Sequence, residues 1–170
     1  MLRELFIANG ILGIALAGTA AAQTAPPAVY KSGADLMATI KSKLPTTPDQ
    51  ADAPVDNPGP YRINVVRRGK PGTAMAHISG PAKGTEVHYI IDGAATVVTG
   101  GTIVRPAGAP AGRGGAGSTI EGGVTHHLVK GDVLVIPAGT PHWYKEIEGS
   151  VTYLEVRFDV SQSDNKSDSK

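Results

Sequence analysis

The chain has 170 residues, with sixteen basic against fifteen acidic side chains and no cysteine. That length suits one domain, and the near balance of charge removes any electrostatic case for nucleic acid as a partner. The missing thiols exclude a disulfide framework and thiolate ligation, so any bound metal must rest on histidine, carboxylate or water oxygen.

At the N-terminus, Arg3 precedes a mostly apolar run from Leu5 to Ala17, and Ala20-Ala21-Ala22 precede Gln23. A short apolar stretch ending in small residues is the pattern of an export signal cleaved after residue 22. The run is short for a span and is interrupted by Asn9, Gly10 and Gly13, which argues against a retained anchor. The expectation is a periplasmic or secreted protein beginning at Gln23, with no stable membrane span after cleavage.

Residues 23–60 carry one helix and a connector. Ser32 is placed to cap a helix from Gly33 to Lys43, in which Leu36, Met37, Ile40 and Leu44 recur at helical spacing. Such a helix packs on the main body or on a partner. Pro45 ends it, and Pro48, Pro54, Pro58 and Pro60 make residues 46–60 read as an extended connector without a core of its own.

Residues 61–160 read as strands. Tyr61–Val66 is the first, and Thr73–Ser79 follows the Gly69-Lys70-Pro71-Gly72 turn. Thr85–Ile91 and Ala95–Thr99 flank an Asp92-Gly93 turn signal, and Gly100-Gly101 leads into Thr102–Val104. Residues 105–118, rich in Gly, Ala and Pro, read as a mobile loop at the mouth of the fold. Val124–Val129, Val133–Ile136, His142–Ile147 and Val151–Val160 complete the set, and residues 161–170 read as a disordered polar tail. The pairs Val97/Val98 and Val133/Val135 are expected in the core. Many short strands between turns imply an all-β, antiparallel barrel with one N-terminal helix.

The most informative stretch is Gly131 to Trp143. A β-branched run closes at Pro137 and Gly139, and His142 then stands at the root of the next strand. An imidazole fixed just past a rigid turn makes a good metal ligand or acid–base group. Gly131, Pro137, Gly139 and His142 match the second motif of the cupin family, G-x5-P-x-G-x2-H-x3-N, with Glu146 in place of the last Asn. The chain therefore resembles the cupins, which implies a jelly-roll barrel over residues 61–160. Glu86–Gly93 and Val97–Gly101 also look like one exported bacterial branch of that family. The resemblance transfers no reaction.

The first cupin motif, G-x5-H-x-H-x3-4-E-x6-G, is degraded here. Glu86 and Gly93 keep its end, but Ser79 stands where the second histidine belongs, and Gly72 to His77 is one residue short. Strand alternation offers a replacement, because Glu86 and His88 share a face while Val87, Tyr89 and Ile91 face the other way, toward a second sheet, the helix or a second copy in a homodimer. The candidate metal set is His77, Glu86, His88 and His142, with Glu86 either a direct ligand or a hydrogen-bonding partner of a ligand histidine. Three imidazoles and one carboxylate suit Zn, Fe, Mn, Ni or Cu and leave positions open for water or substrate.

Tyr144 shares the face of His142 and is a candidate to line the pocket or donate a proton, while Trp143 faces away. Arg105 and Arg113 flank the loop, where they either bind a carboxylate substrate or serve as solvated charges. His126 and His127 are adjacent on a strand, face opposite ways and read as surface residues. Two function classes follow: an exported cupin with one divalent metal and a small-molecule ligand, possible as an enzyme, or a metal-free small-molecule binding protein without turnover.

Overall fold

The computed structural model describes residues 26–58, 61–76, 84–108 and 116–158. The expected signal at 1–22, the tail at 161–170, His77, Ser79 and Arg113 lie outside them.

Helix α1 (Gly33–Lys43) starts where the Ser32 hydroxyl accepts a hydrogen bond from the Asp35 amide at 3.1 Å. Asp35 in its first turn and Lys41 and Lys43 in its last complement the helix dipole. Ile40 is fully buried and Leu36 and Leu44 pack beside it, whereas Met37 is exposed.

The proline-rich segment is more ordered than its composition suggests. Gln50–Asp56 forms strand β1 and pairs antiparallel with β2 (Tyr61–Arg68). Ala51 and Ala53 alternate inward and are buried under α1. Pro54 is tolerated because β1 is the outermost strand of its sheet, where a missing amide breaks no ladder, and the register slips just after it. The connector thus has a share in the core, contrary to the expectation from its prolines.

Two long strands form the spine. β3 (Thr85–Thr99) and β8 (His142–Phe158) pair antiparallel from Thr85↔Phe158 to Thr99↔His142. The sequence suggests four shorter strands here. Gly93 does not turn the chain back; at φ 79° it bends β3 while Gly149 bends β8, and the register shifts between them. A Cβ at Gly93 would collide with the Ser150 carbonyl.

The sheet runs β1-β2-β8-β3-β6, where β6 is Val124–Val129, and β7 (Val133–Ile136) pairs the other end of β3. β4 (Thr102–Val104) and β5 (Thr119–Glu121) form a small second sheet. Of the expected Thr73–Ser79 strand, the described part makes an isolated bridge, Met75↔His142. Among the described residues no helix is long and apolar enough to cross a membrane.

This antiparallel jelly roll has apolar packing on both sides of its main sheet. Val66, Ile90, Val97, Leu134, Ile136 and Val151 fill the inside, and on the other side Ile40 of α1 clusters with Ala51, Ala53 and Val65. Burial of each large apolar side chain contributes about 1.5–3 kcal/mol. Val97 and Val98 are buried as expected, but Val133 and Val135 are 60% and 56% exposed. β7 pairs with β3 alone, so its alternation sends Leu134 and Ile136 inward and turns both valines out.

Candidate functional site

The inside of the barrel changes from apolar to polar toward one end. On β3, Glu86 and His88 point inward and are 2% and 1% exposed. On β8, Tyr153, Glu155 and Arg157 follow each other on the inward face and are also buried. His142 and Tyr144 enter from the first residues of β8, and Arg62 and Arg68 from β2. Together they line a cavity of about 140 Å³.

His142 is set by the turn the sequence marks. The Thr140 amide donates to the Pro137 carbonyl at 3.0 Å, Gly139 sits at φ 81°, and His142 exchanges backbone hydrogen bonds with Met75. Its Nδ1 lies 3.2 Å from the Thr140 carbonyl, and its Nε2 lies 4.0 Å from Glu86 Oε1. Burial lowers its pKa below the ordinary imidazole value, against the opposing pull of Glu86 and of the Thr140 carbonyl. The ring is neutral at neutral pH and can offer Nε2 as a ligand atom.

His88 is held from both sides. Nδ1 lies 3.0 Å from the Tyr144 hydroxyl, and Nε2 lies 3.1 Å from Glu86 Oε2. With a proton on Nε2, the ring donates to Glu86 and accepts from Tyr144. With Nε2 given to a metal, Nδ1–H donates to the Tyr144 oxygen, the usual support of a ligand histidine. Burial, with Tyr153 adding to it, raises the Tyr144 pKa well above its ordinary value, so the phenol keeps its proton.

Charge in the cavity is arranged around two carboxylates. Arg157 Nη2 contacts Glu86 Oε2 at 3.2 Å and Glu155 Oε2 at 3.4 Å, and Arg62 Nη2 contacts Glu155 Oε1 at 3.3 Å. Arg68 donates through Nε to the Tyr153 hydroxyl at 2.9 Å and lies over the Tyr144 ring at 5.0 Å. The Tyr144 and Tyr153 rings stack, with centroids 5.1 Å apart.

Glu86, His88 and Glu155 each offer one ligand atom, all within 4.8 Å of one another, and all three are buried. Carboxylate and imidazole donors fit a divalent first-row ion. The described residues therefore supply two imidazoles and two carboxylates, with His142 beside the trio through Glu86. Glu155 was not anticipated from the sequence. Arg105 is half-buried and does not line the cavity. His126 lies 3.1 Å from Thr99 Oγ1 and His127 lies 2.7 Å from Glu148 Oε1, both outside the cavity. Trp143 faces away, packs against Ala74, Val98 and Ile120, and donates to the Gly72 carbonyl at 2.9 Å.

Sequence reasoning missed Tyr153, Glu155, Arg157, Arg62 and Arg68. Their signal is a polar residue at every second place in an otherwise apolar strand, as in Tyr153-Leu154-Glu155-Val156-Arg157. That alternation ordinarily marks a solvent face. Here Leu154 packs in the cluster under α1, so the polar side is the one turned into the barrel.

No family model and no curated protein matches the sequence. Solved structures do match. A salicylate 1,2-dioxygenase from Pseudaminobacter salicylatoxidans is 16% identical with a TM-score of 0.53; the match covers 75% of this chain and 34% of that one. A cupin superfamily protein from Desulfitobacterium hafniense is 15% identical with a TM-score of 0.41, over 65% of this chain and 77% of that one. The cupin domain of Schizosaccharomyces pombe Cnp3 is 15% identical with a TM-score of 0.45, over 65% of this chain and 61% of that one. The chain spans about a third of the dioxygenase. The likeness to the dioxygenase is one of fold, and the antiparallel jelly roll is the one that the resemblance to the cupins implies.

Proposed function

We propose that this cupin-fold chain is an exported protein that holds one divalent metal ion on Glu86, His88 and Glu155, with His142 beside them, and receives a small molecule in the adjoining cavity. The observation that carries the reading is the convergence of three buried ligand atoms within 4.8 Å. A bound divalent ion would supply Lewis acidity toward an oxygen-bearing ligand and a place for water. The chain's own groups supply the rest. Tyr144 orients the His88 ring, Thr140 orients His142, and Arg157 and Arg62 balance the two carboxylates.

A second reading, a metal-free small-molecule binding protein, is favoured by one observation: Arg157 already bridges Glu86 and Glu155. The two separate on metal uptake. Protein purified without chelator or affinity histidines is assayed for Mn, Fe, Ni, Cu and Zn, then titrated with each at pH 7.5. The metal reading expects one ion per chain and its loss in His88→Ala. Folded wild-type protein that takes up no stoichiometric ion leaves the binding protein as the account.

A further inference from the structure

Among the described residues, the charged side chains of the cavity do not pair off completely. Glu86 and Glu155 are matched by Arg157 and Arg62. Arg68 is left over: among the described residues its contacts are a phenol and a ring face, and no carboxylate approaches it within ion-pair distance.

We propose that Arg68 is the receptor for the carboxylate of a small organic acid held in this cavity. The proposal rests on the reading of the cavity as a ligand site and not on the metal. The guanidinium is fixed before any ligand arrives. Its Nε is tied to the Tyr153 hydroxyl at 2.9 Å, its plane lies over Tyr144, and the two rings are stacked at 11° between planes. Gly72 stands beside Nη1, where a Cβ would come within 3.1 Å, so a residue without a side chain is what gives the guanidinium room to sit here. A planar fork with one edge engaged is built for bidentate capture of a planar anion. Preorganisation of this kind lowers the ordering cost of binding.

Charge and volume narrow the ligand class. Among the described residues the excess is a single positive charge, which suits a monoanion, and the two neighbouring carboxylates repel the second charge of a dianion such as phosphate. A cavity of about 140 Å³ corresponds to about five water volumes, which suits an acid of a few carbon atoms.

The test is titration of the folded chain with propionate, its neutral isostere propionamide, and inorganic phosphate, by calorimetry or protein-observed NMR. It is run once with chelator and once with added Mn or Zn. Propionate is expected to saturate one site, with propionamide at least about tenfold weaker. Arg68→Gln is expected to weaken propionate about tenfold or more, as loss of a charged hydrogen-bond partner does. Tyr153→Phe, which keeps the charge and frees its anchor, is expected to weaken it by a smaller factor. If Arg68→Gln does not fold, Arg68→Lys replaces it and should still bind severalfold more weakly, because the planar fork is gone. Equal binding of propionate and propionamide, unchanged affinity in the Arg68 variant, or tighter binding of phosphate would each overturn the assignment. Propionate binding under chelator by a chain that takes up no metal would keep Arg68 as receptor and remove the metal. Metal uptake without propionate binding would do the reverse.

Discussion

Glu86 and Arg157 stand directly opposite each other in the β3–β8 ladder, and their side chains meet inside the barrel at 3.2 Å. His88 and Glu155 form the next inward-facing pair of the same ladder, with His88 Nε2 3.9 Å from Glu155 Oε2. The site is thus two consecutive cross-strand pairs of one antiparallel register. Arg157→Met leaves two buried carboxylates without their shared cation, and such a loss costs about 3–5 kcal/mol. Chemical denaturation in the presence of chelator should show that loss. The same variant should bind divalent metal more tightly than wild type, since the ion no longer competes with the guanidinium. Unchanged metal affinity would show that Arg157 does not guard the site.

Tyr144→Phe removes the partner of His88 Nδ1. The chain should lose about 0.5–1.5 kcal/mol of stability. Metal affinity should fall about 10- to 100-fold, as it does when the support of a ligand histidine is taken away. Calorimetric metal titration checks this, and an affinity equal to wild type would mean that the hydroxyl does not set the ring.

Acid should destabilise the metal-free chain through His142. Burial depresses its folded pKa below the ordinary value of 6.5. A histidine of that kind binds its proton more readily in the unfolded chain. Its contribution is therefore complete above pH 6.5 and is lost as pH falls from there toward the depressed folded value. Melting temperatures in chelated buffer at pH 7.5, 6.5 and 5.5 should decline, and His142→Gln should flatten that decline. A variant as acid-sensitive as wild type would place the effect elsewhere.

Gly93→Ala should damage the spine itself. The position needs φ 79° and has the Ser150 carbonyl where a Cβ would go. Left-handed backbone alone costs an alanine about 1–2 kcal/mol, and the collision adds to it. Gly149→Ala, also at positive φ but with open space around it, should cost less. Equal melting temperatures for the two variants would rule out the collision.

Much of this architecture was legible in local signals. Ser32 and the spacing of Leu36 and Ile40 located α1, and Gly131, Pro137 and Gly139 located His142 and its turn. Alternation put Glu86 and His88 on one face, which the structure turns inward. What stayed hidden shares a physical cause: alternation says which residues share a face but not which face is covered. Leu154 and Val65 lie in the cluster under α1, so Glu155 next to Leu154, and Arg62 and Arg68 at odd spacings from Val65, fall on the barrel side. Likewise nothing near Gly93 indicates that its partner bends at Gly149, because the two meet only in the register of distant strands.

That register has a kinetic consequence. Every pair in the β3–β8 ladder joins residues far apart in the chain, and β4 to β7 all lie in the stretch between them. Loop closure must be accomplished before any of those contacts repays it. Refolding should accordingly take roughly milliseconds to seconds rather than microseconds, which stopped-flow fluorescence of Trp143 can time. During that interval the outward Val133 and Val135 of edge strand β7 stand beside unpaired backbone. The yield of soluble protein is therefore set by a race between docking of β8 onto β3 and association of exposed strands.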